Sequence, residues 1–155
     1  MSYARVLLIA GVVIVLGTLI GRAAQDKEAA AKADAQKAAE AWLAKVDAGK
    51  YAESWDEASI LIRQAITKDQ WTATMQQLAA ALGKVKSRTL KASEYKVNPP
   101  GAPAGEYVQL LFDTVFETKG ATVETVTPVV EGGKWRVAGY YARPPALGPA
   151  GARGH

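Results

Sequence analysis

Hydrophobic and polar positions change rhythm three times along the chain. Val6 to Gly21, "VLLIAGVVIVLGTLIG", is an uncharged run of 16 residues between Arg5 and Arg22. From Gln25 to Ala48 the composition switches to Ala, Lys, Glu, Asp and Gln, and "EAAAK" at Glu28 to Lys32 carries an i,i+4 Glu-to-Lys pair. The spacing predicts a helix whose apolar side is thin at Ala31, Ala35 and Ala38 and substantial at Trp42, Leu43 and Val46. Gly49 ends it. Trp55, Ala58, Ile62 and Ala65 predict a second helix over Tyr51 to Ile66. Ser54 and Glu57 have capping-box spacing but fall inside that helix, where the box is incidental. Thr67 with Gln70 is a better box, because it precedes the stripe Trp71, Met75, Leu78 and Leu82, which Gly83 closes as a third helix.

From Lys84 onward the period is two, and β-branched and aromatic residues predict strands near 85–97, 106–118, 122–131 and 134–142. "NPPGAPAGE" cannot enter a ladder because its prolines lack the donor, whereas "TKGAT" and "EGGK" are short enough for hairpins. Helices followed by a meander of strands define an α+β fold: three N-terminal helices packed on a curved antiparallel four-stranded sheet, preceded by a hydrophobic helix. The last strand, "GKWRVAGYYAR", closes the core, with Gly139 permitting a bend. Beyond Arg143, "PPALGPAGARGH" has too little apolar bulk to offset its ordering entropy, so residues 144–155 are expected to be disordered.

The N-terminal run is the segment most informative about compartment. As a helix it falls a few ångströms short of a roughly 30 Å hydrocarbon core, yet it is long for the apolar region of a signal peptide. Residues 1–24 are therefore a signal peptide, cut after Ala23, or a single-pass anchor. The absence of any helix breaker between Arg22 and Ala48 favours retention. Arg5 ahead of the run keeps the N-terminus cytoplasmic and places the rest outside the cytoplasm. The expected organisation is then a helical stalk over 25–40 and a globular domain over 41–143, either tethered to a membrane or released from it.

There is no cysteine, which excludes disulfides, thiolate chemistry and a lipidated cysteine. Arg5 and Arg22 are two of the 19 basic residues, leaving 17 against 15 acidic ones in the remainder. That balance selects no polyanion.

"AWLAKVDAGKYAESWDEA", "ITKDQW", "LGKVKSR", "GEYVQLLFDTVFETK", "VETVTPVV" and "GKWRVAGYYAR" occur in an order and spacing that resemble the bacterial "domain of unknown function 4019" family over Ala41 to Arg143. In that family an arginine commonly precedes the turn at "LG", where this chain has Ala79 to Ala81. The resemblance implies an exported or membrane-tethered protein of the bacterial cell envelope, anchored on the inner membrane facing the periplasm or secreted into the periplasm, and little chemistry. At the level of fold, the helix-turn-helix followed by a sheet ending in "GKWRV" is similar to the cone of nuclear-transport-factor-2-like (NTF2-like) and cystatin-like domains. Those folds host enzymes, binding modules and scaffolds alike.

Candidate chemistry is sparse. The one histidine is His155, which removes histidine acid–base work, a serine–histidine–acid triad and a histidine-containing metal site. No metal or cofactor is expected, and phosphate-loop, dinucleotide and hydrolase-elbow motifs do not occur. Three carboxylates are the candidates for a base: Asp113 and Glu117, which share a parity with Gln109, and Glu124, which heads the next strand close to them. The alternative is the wet face of an antiparallel sheet, with Leu110, Phe112, Thr114 and Phe116 making the core face. Lys84, Lys86 and Arg88 alternate, with Lys91 and Lys96 beyond, as a charged edge that blocks strand pairing. Contact with anionic lipid or a polyanion is the alternative there, and nucleic acid is not an expected partner. Trp42, Trp55 and Trp71 lie one per helix, and Trp135, Tyr140 and Tyr141 lie on the last strand. These six are the core of a helical layer on a sheet or, failing that, the wall of a pocket for an apolar ligand or partner. The expectation is a non-enzymatic envelope module that binds a partner protein or a small apolar ligand. A membrane-tethered accessory subunit and an NTF2-like enzyme with a carboxylate base are the alternatives.

Overall fold

The computed structural model describes residues 6–145, with side chains from Gly21 onward. Four helices, α1 (Val6–Asp47), α2 (Tyr51–Glu57), α3 (Ile60–Ala65) and α4 (Lys68–Leu82), precede four strands, β1 (Val85–Val97), β2 (Glu106–Phe116), β3 (Gly120–Glu131) and β4 (Lys134–Arg143). The strands form one open antiparallel sheet in the order β1-β2-β3-β4. The expected α+β class is what is found. The side chains of the expected hydrophobic segment lie outside the described residues up to position 20, and so does the expected disordered tail beyond Pro145. Among the described residues no helix is long and apolar enough to cross a membrane.

One face of the sheet carries the core. Val108, Leu110 and Phe112 of β2, Val126 of β3 and Val137 of β4 meet Ala35, Ala39, Trp42, Leu43 and Val46 of α1, Ile62 of α3, and Trp71 and Met75 of α4. Ala31, Ala35 and Ala39 recur every fourth residue and are all buried, so α1 lies against the sheet through methyl groups, which permit close approach. Within the stretch over 25–40 expected as a stalk, α1 is thus buried on one side from Ala31 onward. Two ion pairs fix the direction of α1. Lys27 Nζ lies 3.2 Å from Glu106 Oε1 at the start of β2, and Arg88 Nη1 lies 2.6 Å from Asp47 Oδ2 near the start of β1. Helix α1 thus runs along the sheet antiparallel to β1.

The expected second helix is broken in two. Ser59, not Ser54, is a cap: its side chain accepts from Leu61 N and opens α3. The break is made from far along the chain. Pro128 pairs with Val137 and has no N–H to offer, and the Val137 carbonyl accepts instead from Ser59 N at 2.8 Å. The Glu131 carboxylate accepts from Ser59 Oγ and from Ile60 N, the latter at 3.0 Å. Ser54 has a different task. Its carbonyl accepts from Trp42 Nε1 at 2.8 Å, its hydroxyl accepts from Trp71 Nε1 at 3.0 Å and donates to the Tyr51 carbonyl at 2.7 Å. The Thr67–Gln70 capping box is present in full at α4. At the other end of α4, Gly83 has φ +78°, and the Leu82 carbonyl accepts from Thr118 N and Lys119 N, which ties the helix to the β2–β3 turn.

Candidate functional site

Strand register decides which carboxylates face the helices. Phe116 pairs with Gly120 across a turn of three residues, so even-numbered residues of β2 oppose even-numbered residues of β3. Glu124 therefore sits opposite Phe112, on the core face, and is fully buried. Asp113 opposes Val123 on the outer face, where it pairs with Lys91 at 3.0 Å. Glu117 lies in the turn and is exposed. The structure thus separates the three candidate bases that the sequence groups together.

Arg88 reaches Glu124 because β1 is irregular. Val85 pairs with Phe116 and Ser87 with Val115, which leaves Lys86 as an extra residue and puts Arg88 opposite Thr114 on the core face. This corrects the expected alternation of Lys84, Lys86 and Arg88 along a wet edge. Arg88 Nε donates to Glu124 Oε2 at 2.7 Å and Nη2 to Oε1 at 3.2 Å. The far side of the guanidinium donates to Asp47, from Nη1 at 2.6 Å and Nη2 at 3.0 Å. Thr114 Oγ1 donates to Glu124 Oε2 at 2.5 Å and Tyr140 Oη to Oε1 at 2.6 Å. Four donors therefore fill the roughly four acceptor positions of an ionised carboxylate. Burial on its own lowers the Arg88 pKa, but hydrogen bonds and charge from Asp47 and Glu124 more than reverse this and hold it above the usual arginine range. Burial, then the Glu124 charge and hydrogen bond, raise the Tyr140 phenol above its ordinary value.

This network borders a half-open groove of about 460 Å³ between the end of α1, the start of α2, α4 and the β1 and β2 ends nearest them. Val46, Met75, Leu78, Leu82, Val85 and Phe116 supply apolar walls, Asp47 and Tyr140 connect it to the buried network, and Lys84 and Glu117 stand among its polar lining. Ala79 and Ala80 also line it, so no bulky side chain projects from that stretch of α4.

The predicted aromatics are distributed unequally. Trp42 and Trp71 are buried with ring centroids 6.0 Å apart, and Trp42 meets Tyr140 edge-on at 5.6 Å. Their indole N–H groups are both committed to Ser54. Trp55 is half-buried, donates to the Ile66 carbonyl at 2.9 Å and has Lys68 Nζ 5.3 Å above its ring. Trp135 is half-buried beside Lys37 and Ala38 of α1, in a shallow depression. Tyr141 is 70% exposed on the outer face. Of the six, only Tyr140 lines the groove. Arg88, Asp47 and Thr114 are the members of the site that sequence reasoning missed. Counting parity back across the three-residue turn would have placed Glu124 and Thr114 together, whereas the bulge that turns Arg88 inward leaves no mark in the sequence. Among the described residues no cluster of His, Cys, Asp and Glu could hold a metal ion.

Fold and site together describe an α+β domain with a saturated buried ion network beside a ligand-sized groove. Residues 38–140 match the family described as Protein of unknown function (DUF4019), and the chain belongs to that family. No curated protein and no solved structure matches the chain.

Proposed function

We propose that this protein is a non-catalytic binding module of the bacterial cell envelope that holds a small apolar ligand, or an apolar side chain of a partner protein, in the groove between α1, α4 and the sheet. The groove carries this reading. Its volume of about 460 Å³ falls among small-molecule sites, which span roughly 300–1,000 Å³ with apolar walls and few polar groups. Asp47 and Tyr140 would orient an occupant, and both are held in place by Arg88 and Glu124. Glu124 is not available as a base, because every one of its acceptor positions is taken. Helices on one face of an open sheet support a cystatin/NTF2-like cone as the arrangement. The envelope location rests on the apolar run, 6–21, acting as a single-pass anchor with the domain on the periplasmic side. A second reading, a tethered accessory subunit of a larger complex, draws on the helix-compatible passage from that run into the domain.

Methionine provides the test, because the chain has only two, Met1 and Met75, and Met75 lines the groove. With ¹³C-methyl methionine, titration with indole should shift the Met75 resonance saturably and leave Met1 in place. Ala79→Trp, which fills the groove, should abolish the shift. A Met75 resonance that ignores small apolar probes would overturn the reading.

A further inference from the structure

The two ion pairs on α1 give the domain an orientation as well as a packing direction. Lys27 is held at Glu106, whose second oxygen accepts from Tyr95 Oη at 2.7 Å. This pin sits where β1 ends and β2 begins, since Val97 pairs with Glu106. From Lys27 back to Gly21 there are six residues of helix, about 9 Å at roughly 1.5 Å each. The loop of residues 98–105 lies beyond the pin in the same direction. Eight residues folded back on themselves reach at most about 13 Å, at roughly 3.3 Å per residue for four residues outward. The loop tip can therefore reach the level of Gly21, the end of the apolar run.

That loop is built as a firm, uncharged tip. Asn98 N donates to the Gly105 carbonyl and Gly105 N to Asn98 Oδ1, each at 2.8 Å, which closes its base. Tyr107 Oη donates to the Pro103 carbonyl at 2.9 Å, and Pro99, Pro100 and Pro103 stiffen the rest. Between Lys96 and Glu106 no residue is charged, and Val97 is 56% exposed at the loop's edge. The groove lies at the opposite end of α1, beside Asp47 and Gly49.

We infer that the domain rests on the outer leaflet of the membrane that anchors it, through Val97 and the 98–105 loop, so that the groove opens away from the bilayer. This rests on the anchor reading of 6–21. A long flexible stalk would let the domain tumble, but the burial of Ala31 leaves only a short free stretch of helix after Gly21. The surface required is an interfacial one: small apolar and proline side chains against headgroups, with Lys96 and Arg22 near phosphates.

The absence of cysteine makes the test direct. Full-length protein carrying Ala102→Cys or Glu117→Cys, labelled with bimane, is reconstituted in vesicles of phosphatidylethanolamine and phosphatidylglycerol with a headgroup-level spin-labelled lipid. The label at 102 should be quenched severalfold more than the label at 117 and be shielded from aqueous iodide. Protein that floats with the vesicles while both labels quench alike overturns the orientation alone. Protein that does not float with vesicles overturns the anchor and the orientation together. As a check on the pin, Lys27→Glu should reduce the difference between the two labels.

Discussion

Tyr140 joins two systems in one side chain, donating to Glu124 Oε1 at 2.6 Å while its ring meets Trp42 edge-on at 5.6 Å. Tyr140→Phe keeps the ring and leaves a fully buried carboxylate one donor short, so it should destabilise by about 1–3 kcal/mol in urea unfolding. The same hydroxyl sets a pH dependence. Its pKa is raised by folding, chiefly through burial, so its contribution is fully present below the ordinary tyrosine value of about 10 and is lost as pH rises through the folded value. Stability curves above about pH 10 should therefore fall more steeply for the wild type than for Tyr140→Phe. Gly83 is the second residue whose replacement has a definite outcome. A Cβ there would lie 2.5 Å from Thr118 Oγ1 and 2.7 Å from Thr118 N, at φ +78°. Gly83→Ala should cost well over about 1 kcal/mol, and adding Thr118→Ala should recover little, because the backbone nitrogen remains in the way.

Between elements, Arg88 is the tie that joins β1 to both β3 and the end of α1. Arg88→Met strands a buried Glu124, and a loss of about 3–5 kcal/mol is expected. Arg88→Met combined with Glu124→Gln should lose much less, since no uncompensated charge then stays inside; equal losses would show that packing and not charge is at stake. The helices themselves were legible where their signals are local. Gly49, the Thr67–Gln70 box and the Trp71 stripe stand where the sequence puts them. The break between α2 and α3 was not, because Glu131 and Val137 that make it lie 72 and 78 residues beyond Ser59. The candidate site is half legible: the sequence marks Glu124 for its chemistry, but its nearness to Asp113 suggests the outer face, whereas pairing through the Glu117–Lys119 turn sets it opposite Phe112 on the core face. Arg88 was hidden by the extra residue at Lys86, a feature of pairing and not of composition.

At the scale of the molecule, the boundary of the domain is the claim most readily tested. A chain starting at Gln25 keeps Ala31, Ala35, Ala39 and the Lys27 pin, and should unfold cooperatively at a melting temperature close to that of the full chain. A chain starting at Ala41, the first residue after the expected stalk, removes three buried methyl contacts and about three turns of helix that cover the sheet. It should lose its cooperative transition, as followed by near-ultraviolet circular dichroism. Equal behaviour of the two truncations would restore the stalk.

The same attachment of α1 has a mechanical side. Because the helix lies along the sheet and is clamped at Lys27 and again at Asp47, tension applied at Gly21 acts parallel to the contact surface. Every alanine in the row, and then Trp42 and Val46, must slide at once before any one of them lets go. Peeling, by contrast, would break them in succession and at low force. Tugged from its N-terminal end, the domain is loaded in shear, the direction in which a packed helix resists most.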